Sequence, residues 1–342
     1  MKALVLEDYN RLVYKDVANP GFKDDEVLIE VKAVGICGSD VHGTDGSTGR
    51  RIPPIIMGHE ASGIIVETGK NVSSWRSGDR VTFDSTIYRL DDWYTQKGHY
   101  NLSDNRMVLG VSCKEFRRDG AFAQYVAVPA HILHRIPENV PFEHAAMVEP
   151  VAVALHAVNL SGVKINDTTV VFGSGMIGLF IIQLLKLAGC NVIAVDVLQE
   201  KLDMALKAGA GVVLNSQTDN IPDQIRKLTN NRGADFAFEA VGISPTINGA
   251  IESLRKGGTL ILVGNLSAKV EFPLQKVVTG EITVKGSCAI NGEYPSVLDL
   301  LSNGKIDVDS MISAIVPLSE GARYFDKLYK KEPGLLKIIL KP

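Results

Sequence analysis

The run TTVVFGSGMIGLFIIQLLKLAG, residues 168–189, constrains the fold of this chain more than any other stretch. It begins with a short apolar segment, turns through Gly173, Gly175 and Gly178 in GxGxxG spacing, and continues as a long apolar segment. A buried strand that leads through a tight turn into a helix accommodates that order of residues. The sequence therefore predicts one strand-turn-helix unit of a parallel sheet.

Strand and helix patterns continue to alternate from residue 168 to about residue 286. This alternation predicts an α/β domain with a doubly wound parallel sheet covered by helices on both faces. Residues 25–90 differ, because short apolar segments separated by glycines predict a small β-barrel or sandwich. The segments interpreted as later strands and helices are NVIAVD, LQEKLDMALKAG, GVVLN, IPDQIRKLTNN, ADFAFEAVG, SPTINGAIESLRKG, TLILVG and EITVKGS.

Length and charge narrow the classes of function. A chain of 342 residues is long enough for two domains, and its net charge of -3 offers no basic field for nucleic acid or an anionic membrane surface. No apolar run reaches the ~18 residues of a membrane span. The cysteines are far apart and form no CxxC pair, which predicts a reducing, cytoplasmic location; they are Cys37, Cys113, Cys190 and Cys288.

Each glycine of the GxGxxG turn has a mechanical role in dinucleotide binding. Gly173 allows the tight turn, Gly175 lets the backbone approach a pyrophosphate, and Gly178 lets helix and strand pack closely. The first helical residues, Met176 and Ile177, present free N–H groups to the phosphates at the positive end of the helix dipole. A glycine-rich turn with only a structural role, a flavin site and an S-adenosylmethionine site are the alternatives.

An acidic residue at the end of the next strand favours NAD over NADP. Asp196 lies 18 residues beyond Gly178, where a carboxylate can accept hydrogen bonds from ribose hydroxyls and would repel a 2'-phosphate. It could instead cap the following helix. Further along, Val241, Val263 and Gly264 follow predicted strands on the carboxyl side, where open α/β sheets bind ligands.

The segments GICGSDVH, residues 35–42, and GHEASGIIVETG, residues 58–69, contain candidate metal ligands. Cys37 ends an apolar strand, and His59 and Glu60 follow 22 and 23 residues later. A thiolate, an imidazole and a carboxylate suit a catalytic zinc, which uses three protein ligands and an open position. Taken singly, a cysteine is more often buried packing, and an adjacent His and Glu are more often a polar turn.

With these motifs together, the chain resembles the medium-chain, zinc-dependent alcohol dehydrogenases, in the branch that includes sorbitol, other polyol and threonine dehydrogenases. The resemblance implies a GroES-like β-barrel catalytic domain over residues 1–145, completed by about 290–342, and a Rossmann NAD-binding domain over 146–289. The most specific match is the family's zinc signature, which this chain fits at Gly58, His59, Glu60, Gly63, Gly69 and Val72.

The resemblance also implies roles for particular residues. Zinc would be held by Cys37 and His59 with either Glu60 or Glu149, and the sequence leaves open which glutamate binds it directly. Glu60 would also be a catalytic residue. Ser39 and His42 would form the relay that carries the hydroxyl proton away.

A polar segment, residues 89–105, occupies the place where many family members bind a second, structural zinc with four cysteines. Here those positions hold none, so we expect one catalytic zinc per chain and no structural zinc. We expect aromatic packing by Trp93, Tyr94 and Tyr100 to support this segment, called the lobe below. The residues at the four cysteine positions are Arg89, Asp92, Thr95 and Ser103.

The expected reaction is hydride transfer between NAD and a secondary alcohol of a polyol, a sugar acid or a related polar substrate. Ala289 and Ile290 replace the basic and aromatic pair that grips the polyol in sorbitol dehydrogenases, so sorbitol itself is not favoured, and Asn291 or Glu293 could contact a different polar substrate. The alternatives are a threonine or amino-alcohol dehydrogenase, a zinc-free quinone reductase and a non-catalytic NAD-binding protein. The resemblance also predicts a homodimer or homotetramer.

Overall fold

The computed structural model describes residues 1–342 and contains two compact units. The first unit consists of Met1–Glu149, Ile290–Gly304 and Val308–Pro342. The second consists of Pro150–Ala289 and Lys305–Asp307. No helix in the chain is both long and apolar enough to cross a membrane.

The first segment of the first unit is dominated by short strands. Three brief helices interrupt them: α1 (Gly38–Gly43), α2 (Trp93–Gln96) and α3 (Phe142–Ala145). The strands are β1 (Lys2–Asp8), β2 (Arg11–Asp16), β3 (Glu26–Gly35), β4 (Ile55–Ile56), β5 (Glu60–Thr68), β6 (Arg80–Phe83), β7 (Thr86–Ile87), β8 (Met107–Val108), β9 (Val111–Ser112), β10 (Arg117–Arg118), β11 (Tyr125–Pro129) and β12 (Leu133–Arg135).

The second unit alternates strands and helices after α4 (Val148–Ser161). Its six strands form one sheet in the order β15-β14-β13-β16-β17-β18, and every pair in it is parallel. The elements are β13 (Thr168–Phe172), α5 (Met176–Leu187), β14 (Asn191–Asp196), α6 (Gln199–Lys207), β15 (Val212–Asn215), α7 (Ile221–Leu228), β16 (Ala234–Glu239), α8 (Ser244–Ser253), β17 (Leu254–Leu262), α9 (Leu274–Thr279) and β18 (Thr283–Gly286).

The chain then returns to the first unit and completes its main sheet. The returning elements are α10 (Tyr294–Ser302), β19 (Ile312–Pro317), α11 (Gly321–Tyr329) and β20 (Lys337–Lys341). Strands β19 and β20 join the path β12-β6-β5-β3-β20-β19, and β11 pairs with the other part of β3. A second sheet has the order β2-β1-β4. The core strand β3 is buried along most of its length because both faces are covered.

The predicted fold class, an α/β chain with a GroES-like domain and a Rossmann-type parallel sheet, is confirmed. One predicted element needs correction. The helix expected over SPTINGAIESLRKG ends at Ser253, and Leu254 already begins β17. Gly257 adopts a positive φ of 67°, which the helix cannot accommodate but glycine readily adopts, so the chain leaves the helix before this position.

Candidate metal and cofactor sites

Antiparallel pairing of β3 with β5 brings the predicted metal ligands together. Gly35, the last residue of β3, pairs with Glu60, the first residue of β5, so Cys37 and His59 both lie just beyond this end of the strand pair. One potential ligand atom from each of Cys37, His59 and Glu60 lies within 4.8 Å of the others. Residues that are 22 positions apart in sequence therefore form one compact cluster.

Glu60 lies in a buried ion pair. Its Oε2 accepts a hydrogen bond of 2.5 Å from Nζ of Lys337, and Lys337 also donates to the carbonyl of Ile36. Burial works to lower the pKa of Lys337, but Glu60, Cys37 and Glu149 together outweigh it and the pKa is raised. Gly35 leaves room for this carboxylate, because a Cβ at that position would collide with Glu60 Oε2. The first residue of β20 thus neutralises a charge on β5.

His59 is oriented by a buried acid that is itself paired. Its Nδ1 lies 3.3 Å from Oδ2 of Asp40, and Arg51 donates to Oδ1 of Asp40 from Nε at 3.0 Å and from Nη2 at 2.7 Å. Burial works to raise the pKa of Asp40, but His59 and Arg51 lower it to about 2. Burial likewise works to lower the pKa of His59, but Asp40 and Cys37 raise it well above its usual value.

The donor set fits a zinc ion. With Nδ1 of His59 facing Asp40, Nε2 is the nitrogen left for a metal, in the carboxylate-histidine arrangement common at zinc sites. Cys37 adds a soft sulfur ligand and Glu60 a carboxylate, which together make three ligands of the kind that catalytic zinc uses.

Glu149, the fourth predicted ligand, lies outside this three-residue group. It is nonetheless close enough to His59 and Glu60 for both to influence its pKa. Burial raises the pKa of Glu149 to about 7, and Glu60 and Asp84 add to the rise while His59 opposes it. The carboxyl group of Glu149 is therefore held in a poorly hydrated place beside the cluster.

The two predicted relay residues lie on α1, three positions apart. Ser39 Oγ is 3.3 Å from Cys37 Sγ and donates to it, and Nη2 of Arg51 donates to Ser39 at 3.4 Å. His42 is exposed in the last turn of α1. The structure thus places Ser39 directly beside Cys37, a predicted metal ligand, and His42 at the surface of the same short helix.

The glycine turn between β13 and α5 adopts the geometry that its spacing predicts. Gly173 has a φ of 93°, and nothing lies within 4 Å of the place where a Cβ on Gly175 would project. A Cβ on Gly178 would collide with the carbonyl oxygen of Gly173. No side chain caps α5, so the partly exposed Met176 and Ile177 begin a helix whose first N–H groups are available to an anion.

The other predicted cofactor residues follow β16 or lie at the end of β17. Val241 contacts the face of Gly173, because a Cβ added there would meet Val241 Cγ2. Val263 and Gly264 both donate backbone N–H groups to the carbonyl of Glu239 at 2.9 Å. The structure therefore brings the ends of β13, β16 and β17 together at one edge of the sheet.

Asp196 supports the glycine turn directly. Its Oδ2 accepts the N–H of Ser174 at 2.8 Å, and its Oδ1 accepts the N–H groups of Val197 and Leu198 at 2.8 and 3.1 Å. A carboxylate offers about four acceptor sites, so these three bonds leave acceptor capacity for a ribose hydroxyl.

The lobe is held by hydrogen bonds rather than by the full aromatic cluster that we expected. Asp92 caps α2 by accepting from Tyr94 and Thr95, and its Oδ2 also accepts the N–H of Asp104 at 3.1 Å. Tyr100 stacks on Tyr88 with ring centroids 4.3 Å apart. The prediction for Trp93 was wrong, because 63% of this residue is exposed, although its ring makes an edge contact with Tyr94.

Three residues that shape the metal cluster were not predicted from the sequence: Gly35, Arg51 and Lys337. Lys337 carried a usable signal, since a lysine that opens the apolar strand KIILK must find a partner if it is buried. Arg51 carried none, because it follows Arg50 in a polar, glycine-rich loop. Gly35 looked like an ordinary strand end.

Two family models match the chain and agree with this architecture. Residues 23–138 match the alcohol dehydrogenase GroES-like domain, and residues 177–303 match the zinc-binding dehydrogenase domain. The chain belongs to the zinc-binding alcohol dehydrogenase family. It is accordingly an oxidoreductase that depends on zinc and on a nicotinamide dinucleotide.

Particular relatives extend over nearly the whole chain. It is 33% identical to D-arabitol-phosphate dehydrogenase of Enterococcus avium, over 94% of this chain and 91% of that protein. It is 34% identical to D-xylulose reductase of Morganella morganii, over 96% and 97%. A putative zinc-binding dehydrogenase from Sinorhizobium meliloti, solved bound to NADP, superposes with a TM-score of 0.90 at 32% identity, covering 100% of this chain and 99% of that one.

Proposed function

We propose that this enzyme oxidises a secondary hydroxyl of a neutral polyol and reduces NAD in the same step. The observation that carries this proposal is the cluster of Cys37, His59 and Glu60 ligand atoms within 4.8 Å of one another. When bound, zinc supplies the Lewis acidity that makes the alcohol hydroxyl easier to deprotonate, and the nicotinamide supplies the hydride acceptor.

The chain's own residues provide orientation and proton transfer. Asp40 and Arg51 hold the His59 imidazole, and Lys337 holds Glu60. The hydroxyl proton passes to Ser39 Oγ, and His42 on the same helix returns it to solvent.

The charges around the cluster favour a neutral substrate over a phosphorylated or acidic one. The buried basic groups are committed to acids, with Lys337 bound to Glu60 and Arg51 bound to Asp40. Glu149 adds a further carboxyl group, and Lys337, the lysine that acts on it, is already bound to Glu60. A phosphate would meet carboxylates rather than a free cation, which costs binding energy.

NAD rather than NADP is the proposed cofactor. Asp196 stands at the carboxyl end of β14 with acceptor capacity for ribose hydroxyls, and its negative charge opposes a 2'-phosphate. The Sinorhizobium meliloti relative was solved with NADP, so tighter binding of NADP than of NAD by this chain would contradict the proposal.

A screen of initial rates tests the reaction and the substrate class together. Purified enzyme with NAD is offered matched pairs, each a pentitol or hexitol with its phosphate ester, and also sugar acids and amino alcohols, while NADH is followed by absorbance. We expect the highest kcat/KM for a neutral polyol. Faster turnover of the phosphate esters would contradict the assigned substrate class. Preference for amino alcohols would support the threonine-type alternative, because the surrounding carboxyl groups also favour a positively charged amine.

The matched control for that screen is Cys37→Ser. Loss of the thiolate is expected to lower kcat/KM more than 100-fold by weakening the metal site, while NAD binding followed by fluorescence stays unchanged. Equal activity of the variant would remove the proposed metal cluster from the reaction.

A homodimer or homotetramer formed through the second unit is also proposed. β18 is the last strand of the six-stranded sheet, and most of its residues are exposed. An unpaired strand edge can pair with another chain, and exposed apolar side chains lie on the segment before β18. These are Leu266, Leu274 and Val278. Light scattering coupled to size-exclusion chromatography should give a mass of two or four chains.

A cytoplasmic location is inferred from cysteine chemistry. All four cysteines are free, and Cys37 must be a thiolate to bind zinc. A reducing compartment preserves that state.

A further inference from the structure

Tyr294 carries a buried polar group that the proposed reaction does not use. The residue begins α10, is 1% exposed, and its ring stacks on His134 with centroids 4.8 Å apart. Its hydroxyl has no hydrogen-bond partner within the protein. A buried phenol without a hydrogen bond lowers the stability of the folded protein. We therefore ask which nearby group can accept a hydrogen bond from it.

The surroundings of this hydroxyl are acidic. Burial raises the pKa of Tyr294, and the carboxyl groups of Asp84, Glu149 and Glu60 raise it further. Two of these three acids already have strong donors: Asp84 accepts from the Tyr100 hydroxyl at 2.6 Å, and Glu60 accepts from Lys337. Glu149 is the one of the three that no donor holds, so a buried phenol and a carboxyl group, both without a hydrogen-bond partner, stand beside the same cluster.

The segment that carries Tyr294 is fastened to the lobe. The N–H of Gly292 donates to the Tyr100 hydroxyl at 2.8 Å, and Nδ2 of Asn291 donates to the carbonyl of Gly98 at 2.8 Å. Tyr100 in turn donates to Asp84, which also accepts the N–H of Thr86. The lobe, the end of β6 and the start of α10 therefore form one hydrogen-bonded assembly within the first unit.

We propose that Tyr294 is a positioning residue that donates a hydrogen bond to the Glu149 carboxylate beside the metal cluster, and that the lobe holds Tyr294 in place through Tyr100 and Gly98. This inference rests on the proposed function, since it assigns Glu149 to the zinc environment. It gives the lobe a role that does not require a metal of its own: the lobe supports the first unit's catalytic metal site from outside.

A cobalt-substituted enzyme reports on this arrangement without turnover. In the full-length protein loaded with Co²⁺, the visible absorption bands depend on ligand geometry, and a competing chelator measures metal affinity. Tyr294→Phe should shift the bands and weaken metal affinity about 10- to 100-fold, as loss of an outer hydrogen bond to a metal ligand does. Tyr94→Phe, in the same lobe but outside the hydrogen-bonded assembly, should leave both unchanged.

A double-mutant cycle separates positioning from general stability. In the Glu149→Ala background, Tyr294→Phe should cause no further change in Co²⁺ affinity, because its acceptor is gone. Additive effects of the two substitutions would overturn the proposal, as would an unchanged Co²⁺ spectrum in Tyr294→Phe. If Tyr294→Phe does not fold, Tyr100→Phe decides the matter, since it removes the donor to Asp84 and should shift the same bands in the same direction.

The outcome remains distinguishable from failure of the proposed function. An enzyme that turned over no polyol but showed the band shift and the coupling to Glu149 would refute the substrate assignment and keep the positioning role. Normal polyol turnover with no band shift would refute the positioning role of Tyr294 and keep the substrate assignment.

Discussion

At the scale of single residues, the first unit keeps several charges in its interior and balances each one. Asp40 is paired with Arg51 and faces His59, and Lys337 is paired with Glu60. Removing one member of such a pair leaves an uncompensated buried charge, which typically costs about 3–5 kcal/mol. Buried ion pairs add little net stability, because both charges lose their hydration. These pairs contact His59 and Glu60, and we infer that they orient these two predicted metal ligands.

His134 makes acid conditions unfavourable for the folded protein. Burial lowers the pKa of His134 to about 4, whereas an unfolded chain binds the proton with the usual pKa near ~6.5. The effect of His134 on the free energy of unfolding is therefore absent above pH ~6.5. As the pH falls toward 4, the unfolded chain binds the proton first, and the free energy of unfolding drops by at most about 3 kcal/mol. His134→Phe should flatten this part of the plot of Tm against pH.

The matched control is His99→Gln, which changes an exposed imidazole in the lobe. It should reproduce the wild-type dependence of Tm on pH. If His134→Phe shows the same acid sensitivity as the wild type, the buried imidazole is not its source.

Site residues could be predicted from the sequence where they belong to a short, recognisable pattern. Cys37, His59 and Glu60 stood out by type and spacing, and the structure brings them together. Arg51 and Lys337 could not be found in this way, because their partners lie 11 and 277 positions away and only the folded chain makes them neighbours. Trp93 was misjudged because an aromatic side chain in a polar segment can face solvent as well as pack.

At the scale of elements, strand register and helix ends determine where chemistry can occur. The pairing of Gly35 with Glu60 sets the predicted metal ligands at one end of β3 and β5, and the uncapped start of α5 forms the proposed phosphate site. The alternation of strand and helix was readable in the sequence. Register was not, because it depends on bulges and long-range pairing that no local pattern specifies.

Asp196 links two elements of the cofactor site. Asp196→Ala removes both an acceptor for ribose hydroxyls and the bond to Ser174 that holds the glycine turn. The Kd for NAD should rise about tenfold, equivalent to about 1.4 kcal/mol, and discrimination against NADP should fall. Calorimetric titration with each cofactor measures both. An unchanged ratio of the two Kd values would show that this carboxylate does not face the ribose.

Asp92 should organise the lobe without metal. Asp92→Ala removes the cap of α2 and the bond to Asp104, so amide hydrogens of residues 93–104 should exchange several-fold faster. Asp91→Ala, which breaks only an exposed pair with Arg89, is the control and should leave exchange in the lobe unchanged. Protection that depended instead on added zinc would point to a metal in the lobe.

At the scale of the whole molecule, two units contribute different chemistry to one reaction class. The first unit contributes the metal cluster and the second contributes the glycine turn. The fold class followed from the change in sequence pattern near residue 168 and was confirmed. The substrate did not follow from it, because folds of this kind serve many chemistries and specificity depends on the few side chains around the reacting group.

A zinc titration shows how many metal ions each chain needs for turnover. Enzyme stripped of metal with a chelator, and freed of the chelator by gel filtration, is titrated with Zn²⁺ while NADH formation from its best polyol is measured. We predict that activity starts near zero, rises linearly and levels off at about one zinc per chain. Full turnover without metal, or a requirement for two zinc ions per chain, would contradict it.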